Sequence, residues 1–395
     1  MRISILALMA GLGATPLFAD EVTTWRLFVS DHALPTVTAI DLGTNEVLGQ
    51  YEIGAPATLY TTDDPSAVFA VQTSANVVNA IATGITVEDH GDHGDVEIGE
   101  PALLPVELTG ERPVHFVAHD GRIAVFFDGE GIARVVDEKS FLSNEHEVVE
   151  FDSGAPHHGV AVPIGDHLLI SRPHPDKPEA LPVGIEVRAP SGEAVSDLHA
   201  CPDLHGEAAS GRSVALACAE GVLVSTGANP PGIEMVPYGD ALGDGKSTTL
   251  LGGVAMQYWL GNFGADRVAI IDPSAEEPFR LVPLEVRRVH FAVDPVEVRF
   301  AYIFTEDGKL HRLDVVDAEI VASLQVTAPY SMDGEWNLPR PRIAVAGDQI
   351  AVTDPLGSAI HLVSTGDFSV TGRIELGGEA RPFNVVAVGA SGEQH

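Results

Sequence analysis

A recurring pair of β-hairpins limits the folds open to this chain more than any other feature. One hairpin closes at a turn such as Asp-Gly or Gly-Asp, and it appears at residues 115–127, 158–170, 205–217 and 343–352. The second hairpin has an acidic or polar turn, and it appears at residues 37–48, 267–272, 310–321 and 360–370. Four antiparallel strands every ~40 to 50 residues are typical of one blade of a β-propeller.

The spacing of the first strands predicts how many blades there are and how the ring closes. These strands begin near residues 58, 113, 156, 203, 249, 287 and 341. An eighth, Pro382–Val388, has no partner after it, so we expect it to complete the blade begun by Trp25–Ser30. We therefore predict an all-β protein with a single propeller of eight four-stranded antiparallel blades. The N- and C-terminal strands share a blade and leave no exposed sheet edge. Seven blades are the alternative, because the boundaries in the longest gaps are vague.

Residues 1–19 have the pattern of a secretory signal peptide. Arg2 supplies the positive charge, residues 3–12 are apolar, and Ala19 precedes the expected cleavage point. The apolar stretch is too short to span a bilayer, and no later stretch reaches about 18 apolar residues. We expect cleavage near Ala19, export to the periplasm, no membrane insertion, and a monomeric propeller domain over residues 20–395.

The acidic composition excludes several classes of partner. The formal net charge is −35 at pH 7, whereas binding to nucleic acid or to anionic lipid requires clustered Lys and Arg. An acidic surface attracts cations, although a need for solubility explains the same charge.

Cys201 and Cys218 are the two cysteines of the chain. An oxidising compartment favours their pairing. The hairpin between them turns at Ser210-Gly211, midway along, so the two cysteines should face one another and form a disulfide. A free thiol that binds zinc is the alternative.

A column of histidines suggests a metal site in the propeller channel. Aligning the first strands places histidine at the same position in four of the eight units: His115, His158, His205 and His290. The first three lie in consecutive blades and should converge near one mouth of the channel. Three imidazoles with one oxygen or water form a zinc coordination set. Further candidate ligands at this mouth are His157, His174 and Asp128. The alternative for each histidine alone is a packing role.

The run from Asp89 to Asp95 combines two imidazoles and three carboxylates with glycines. Nothing in it is apolar, so it cannot pack in a core, whereas imidazole and carboxylate are normal zinc ligands. We predict a flexible His/Asp-rich loop at residues 89–97 that carries mobile metal ligands: His90, Asp92, His93 and Asp95. Because it leads towards the strand carrying His115, we expect it on the same face of the propeller. A solvated acidic loop is the alternative.

Several motifs resemble the AztD family of periplasmic zinc metallochaperones. The likeness runs from the signal peptide nearly to the C-terminus, and it is carried by residues 89–95, 113–116, 126–129, 156–161 and 204–208. The resemblance implies a β-propeller that holds Zn²⁺ and passes it to the solute-binding protein of a zinc ABC importer. It also implies a buried site at His115, His158 and His205, and a second, mobile site at His90 and His93, helped by Asp92 or Asp95.

No motif for a competing chemistry is present. The chain has no Gly-x-Ser-x-Gly elbow, no Walker loop and no His-Glu-x-x-His sequence, which are the signatures of common hydrolases, nucleotide-binding proteins and metalloproteases. We therefore predict a zinc metallochaperone and not an enzyme. One alternative is a lactonase-like propeller metallohydrolase, in which three histidines and an open position activate water. The other is a propeller that binds a protein or sugar without metal.

Overall fold

The computed structural model describes residues 20–91, 94–177, 179–227, 229–335 and 337–394. Within these ranges the regular structure is almost entirely β. The exceptions are a short helix, α1 (Glu138–Leu142), and one 3-10 turn at Asp240–Leu242. No helix in the described ranges has the length and apolar character needed to cross a membrane. The predicted signal peptide, residues 1–19, lies outside the described residues.

The strands of the N-terminal half follow one another at short intervals. Their bounds are β1 (Asp20–Asp31), β2 (Thr36–Asp41), β3 (Val47–Glu52), β4 (Thr58–Tyr60), β5 (Ala67–Gln72), β6 (Val77–Ala82), β7 (Ile85–Asp89), β8 (Gly94–Ile98), β9 (Ala102–Thr109), β10 (Pro113–His119), β11 (Arg122–Phe127), β12 (Ile132–Asp137), β13 (Val149–Asp152), β14 (Ala161–Ile164), β15 (His167–Arg172), β16 (Gly184–Arg188) and β17 (His199–Ala200).

The C-terminal half continues the same pattern. Its strands are β18 (Glu207–Ser210), β19 (Ser213–Ala217), β20 (Gly221–Thr226), β21 (Gly232–Pro237), β22 (Leu250–Leu251), β23 (Trp259–Asn262), β24 (Arg267–Ile271), β25 (Phe279–Pro283), β26 (Arg288–Val293), β27 (Phe300–Thr305), β28 (Lys309–Asp314), β29 (Glu319–Gln325), β30 (Ile343–Ala346), β31 (Gln349–Asp354), β32 (Ala359–Ser364), β33 (Val370–Glu375) and β34 (Pro382–Gln394).

These strands form eight blades, which confirms the predicted propeller and decides against seven blades. Blade 1 is β4-β5-β6-β9, and blades 2 to 7 take the following strands four at a time in chain order from β10 to β33. Blade 8 is β34-β1-β2-β3, so it joins the two ends of the chain, and the hairpin β7-β8 extends its sheet beside β34 to six strands. In each blade the first strand lines the central channel, and the first strands all run the same way.

The closing strand pair is the longest in the molecule, as expected from the unpartnered C-terminal strand. β1 and β34 pair antiparallel from Asp20↔Gln394 to Val29↔Val385. This pairing joins the two ends of the chain within one blade and closes the ring of the propeller.

Hydrophobic side chains fill the spaces between neighbouring blades. The middle strands are buried on both faces, as the fully buried sequence of β5 shows, whereas the outer strand β29 alternates between exposed and partly buried positions. Between blades 1 and 2 the core includes Phe69, Phe116, Phe127 and Phe141. Strands covered on both sides read as continuous apolar runs, which explains why the second strands were the clearest repeats in the sequence.

Cys201 and Cys218 form the predicted disulfide. Cys201 follows the last strand of blade 3 and Cys218 follows the second strand of blade 4, so the bond ties two blades together and not two paired strands. Both cysteines are fully buried.

Candidate metal centre

Three consecutive blades bring His115, His158 and His205 to one mouth of the channel. His115 lies inside β10, the first strand of blade 2. His158 and His205 lie in the segments that lead into β14 and β18, the first strands of blades 3 and 4. The sequence alignment assumed that the three histidines occupy the same position in their strands. The structure shows that they do not, yet their side chains lie close together.

The separations of the three rings suit a shared cation. The Nε2 atoms of His115 and His158 are 3.2 Å apart. Two imidazole nitrogens bound to one tetrahedral Zn²⁺ at normal bond lengths lie roughly 3.3 Å apart. The ring centroid of His205 lies 5.3 Å from that of His158 and 6.2 Å from that of His115. In the described part of the chain no three His, Cys, Asp or Glu side chains already enclose an ion-sized position. Of the three rings, His205 lies farther from the His115–His158 pair than those two lie from each other.

The second nitrogen of each ring has its own hydrogen-bond acceptor. The three Nδ1 contacts are His115 to Glu207 Oε1 at 2.9 Å, His158 to Asp128 Oδ2 at 2.7 Å and His205 to the Thr248 carbonyl at 2.8 Å. Carboxylates and carbonyls only accept, so each Nδ1 carries the proton and donates. Each Nε2 then keeps its lone pair, which is the arrangement of metal-binding histidines.

The two carboxylates in this network come from different parts of the fold. Asp128 follows β11 in blade 2 and is 5% exposed, and its Oδ1 accepts a hydrogen bond from the Gly159 N–H. The sequence named Asp128 as a candidate ligand, and the structure places it as the hydrogen-bond partner of a histidine. Glu207 begins β18 in blade 4 and reaches His115 across the mouth. Sequence reasoning missed Glu207, although it follows His205 by two residues.

Burial and nearby charges move the pKa values of the rings in opposite directions. Burial lowers the pKa of His115, but the charge and hydrogen bond of Glu207, with the charge of Asp128, outweigh it and leave the pKa raised. Burial lowers the pKa of His205, and the neighbouring His115 and His158 add to this effect against the bond to the Thr248 carbonyl. A proton therefore competes with a metal ion more strongly at His115 than at His205.

Comparison with known proteins places this chain among proteins that share its whole length. A protein of Citrobacter koseri named "Zinc chaperone AztD" is 48% identical over 394 residues, which cover 99% of this chain and 93% of that protein. The chain belongs to the AztD family. No protein-family model matches it.

Solved structures of the AztD family have the same fold as this chain. The crystal structure of Citrobacter koseri AztD superposes with a TM-score of 0.92 at 48% identity, covering 95% of this chain and 100% of that chain. The structure of apo AztD from the same organism gives 0.89 at 46% identity, covering 94% and 99%. The dihydro-heme d1 dehydrogenase NirN gives 0.55 at 12% identity over 92% of this chain and 74% of that one, a likeness of fold alone.

Two further histidines, His157 and His174, were predicted at the same mouth of the channel, and the structure gives them other contacts. His157 is buried, with Nδ1 2.9 Å from the Ala155 carbonyl and Nε2 2.9 Å from Ser171 Oγ. Both of its nitrogens are thus engaged by the local backbone and by β15. His174 lies in a turn, where its Nδ1 accepts a hydrogen bond from the Asp176 N–H at 3.2 Å.

The His/Asp-rich segment of this AztD-family chain is a hairpin and not a long irregular loop. Asp89 ends β7 and Gly94 begins β8, so residues 94–97 of the predicted loop at 89–97 belong to a strand. His90 Nε2 lies 3.2 Å from Asp95 Oδ2, which brings two of the predicted ligands together. The other two, Asp92 and His93, lie outside the described residues.

This hairpin lies at the end of the channel opposite the three histidines, so the expectation of a shared face was wrong. β8 pairs with the C-terminal end of β34 through Glu393↔Asp95, and Val87 of β7 borders a cavity together with His119 at the far end of β10. The physical reason is the point of insertion. β6 runs away from the histidine mouth, and the hairpin extends the chain from that far end before β9 returns.

Proposed function

We propose that this chain is an exported, periplasmic zinc metallochaperone. It holds Zn²⁺ on the Nε2 atoms of His115, His158 and His205 and transfers the ion to the solute-binding protein of a zinc ABC importer. The observation that carries the proposal is the convergence of three imidazoles from consecutive blades, each with its Nδ1 held by an acceptor. Membership of the AztD family supports the cargo, and the buried disulfide supports an oxidising compartment.

The geometry suits a cargo that has to be released. Asp128 and Glu207 keep the Nε2 lone pairs of His158 and His115 available without a metal, so capture needs no tautomer exchange. Because the site lies at a channel mouth, ligands of an acceptor can replace the imidazoles one at a time. His115, whose pKa is raised, takes up a proton more readily than His205, whose pKa is lowered, as the ion departs.

The hairpin at residues 85–98 is proposed as a separate zinc-capturing site. Its ligands would be His90 and Asp95, whose side chains are in contact, together with Asp92 and His93. Because the hairpin lies at the end of the channel opposite the three histidines, we propose that it acquires zinc at that end. In a deletion of residues 90–93, the buried site should keep its zinc affinity while total zinc stoichiometry falls.

The test is zinc stoichiometry and affinity measured by chelator competition. In His115→Ala/His158→Ala/His205→Ala we expect tight binding at the channel site to be lost. A matched control, His167→Ala/His199→Ala, removes imidazoles away from the mouth and should bind like the parent. Zinc-loaded protein mixed with the metal-free solute-binding protein in excess chelator then tests direct transfer. Unchanged affinity in the triple variant would show that the three histidines are not the site. Neither the metallohydrolase nor the metal-independent alternative is favoured by the family comparison.

A further inference from the structure

Three arginines stand across the channel mouth from the three histidines. Arg288 is the first residue of β26, Arg342 immediately precedes β30, and Arg381 immediately precedes β34. These are the first strands of blades 6, 7 and 8, and we call the three residues the arginine arc. The first strands all start from the same face, so the arc lies at the histidine mouth. In a ring of eight, blades 6 to 8 are opposite blades 2 to 4.

The arginine arc lacks the carboxylate partners that other arginines of the chain have. Arg299 pairs with Asp314 and Asp317, and Arg373 pairs with Glu375. Across the described ranges, none of the ion pairs includes a residue of the arc. The chain has 57 acidic and 22 basic residues, so carboxylates are abundant. Among the described residues, the carboxylate recorded at the arc is that of Asp31, and its Oδ2 accepts from the backbone N–H of Arg381 at 2.6 Å and not from a guanidinium group.

Arg288 and Arg342 are also partly buried beside one another. Burial lowers the pKa of Arg288 to about 10, and burial, with the charges of Arg340 and Arg288, lowers that of Arg342 to about 10. Their guanidinium groups lie 5.4 Å and 5.1 Å from the ring centres of Phe291 and Phe383.

The hydrogen bonds of these two guanidinium groups are sparse. Arg288 donates to the Gly264 carbonyl at 3.3 Å, and Arg342 Nε is buried without a hydrogen-bond partner. Adjacent buried like charges with unused donors are unfavourable for folding alone. This is typical of a site that awaits an anion.

We propose that the arginine arc binds carboxylate groups of an acidic segment of a partner protein and holds that segment opposite the zinc-binding imidazoles. Guanidinium groups bind carboxylates through two parallel hydrogen bonds, and stacking on an aromatic ring leaves the fork free to do so. A carboxylate is also a zinc ligand, so a segment held there brings new ligands to the ion.

The role given to the arginine arc in zinc transfer rests on the proposed function. The test of the arc measures peptide binding by metal-free protein and does not depend on that function. The probe is a fluorescein-labelled peptide of alternating Glu and Gly, titrated at low salt with metal-free protein, and binding is followed by fluorescence anisotropy. We expect Arg288→Gln/Arg342→Gln to weaken peptide binding at least tenfold. The control Arg299→Gln/Arg373→Gln, which removes paired arginines elsewhere, should leave binding unchanged. Arg381 is exposed, so Arg381→Gln folds even if the double variant does not, and it should weaken binding about threefold.

Three results would overturn the proposal. They are no peptide binding by the parent protein, equal binding by the arginine-arc variants, or displacement of the peptide by low concentrations of inorganic phosphate, which would assign the arc to a free anion. Zinc titration of the same variants separates this inference from the proposed function. Failure of the parent to bind zinc contradicts the chaperone proposal, whereas loss of peptide binding in the variants with zinc affinity retained supports the arc.

Discussion

The carboxylate of Asp128 accepts a hydrogen bond from His158 Nδ1 at 2.7 Å, and this bond connects two blades. Asp128 follows the second strand of blade 2, whereas His158 leads into blade 3. A second bond, from His115 in blade 2 to Glu207 in blade 4, crosses the mouth. The orientation of each imidazole therefore depends on the packing of neighbouring blades.

Removing Asp128 should weaken zinc binding without removing a ligand. We expect Asp128→Ala to lower zinc affinity by about 10- to 100-fold, because the His158 ring loses the acceptor that fixes its tautomer. Asp128→Asn should have a smaller effect, since the amide oxygen still accepts from Nδ1. Chelator competition measures both. Glu150→Gln, which removes an exposed carboxylate paired with Arg134, is the control, and equal affinities for all variants would contradict the assigned role.

Zinc affinity should fall on acidification, beginning above pH 6.5. A metal-binding imidazole must lose the competing proton, and the pKa of His115 is raised from 6.5 by Glu207 and Asp128 against the effect of burial. Affinity is therefore lost as the pH falls through this raised value. In Glu207→Gln the charge is removed, so the onset should move to lower pH. Affinity measured from pH 8 to pH 5.5 checks this, and an unshifted profile in the variant argues against Glu207 as the cause.

His290 should make folding sensitive to acid. Burial, with the charges of Arg342 and Arg288, holds its pKa well below 6.5. Its Nδ1 accepts a hydrogen bond from the Ile343 N–H at 3.1 Å. Below pH 6.5 the His290 imidazole binds a proton in the unfolded chain but stays neutral in the folded chain. The free energy of unfolding therefore falls as the pH falls from 6.5.

The variant His290→Asn keeps an acceptor near Ile343 and cannot take up this proton. Its thermal unfolding midpoint should decline less between pH 7 and pH 5 than that of the parent. The pKa values of His157 and His205 are also lowered by burial. The variant should therefore keep part of the decline of the unfolding midpoint with pH. Parallel curves for the two proteins would show that His290 does not contribute.

Removing the disulfide should destabilise the propeller. The bond joins cysteines 17 positions apart, and closing a loop of this size stabilises a fold by about 3 kcal/mol in the chain-entropy model. We expect Cys201→Ala/Cys218→Ala to lose a free energy of unfolding of this order, measured by denaturant titration. A double variant as stable as the parent would mean that packing between blades 3 and 4 suffices without the bond.

The propeller was predictable because its signals are local and repeated. The middle strands are buried on both faces, so each unit has an apolar run between turn residues, and the unpaired strand from Pro382 indicated the closure. The convergence of the three histidines at one mouth was predicted by aligning the first strands, although His158 and His205 precede their strands and do not share the register of His115. The pairing of Cys201 with Cys218 was predicted correctly, but the predicted geometry was wrong, because the bond joins blades 3 and 4 and not two paired strands of one hairpin.

The rest depended on contacts that no local pattern contains. Glu207 is one of 57 acidic residues, and only the ring geometry brings it from blade 4 to His115. The face of the His/Asp-rich hairpin depends on the direction of β6, which the sequence does not reveal until the blade is assembled. The arginine arc becomes visible only when blades 6 to 8 are set opposite blades 2 to 4.

The shared terminal blade also determines when the molecule can be complete. Thr23 and Ser391, 368 positions apart, lie side chain to side chain in the closing strand pair. Contacts of such high sequence separation form late and slowly in folding. The ring therefore cannot close until nearly the last residue is available, and a truncated chain or a stalled translation product remains an open arc with two bare sheet edges.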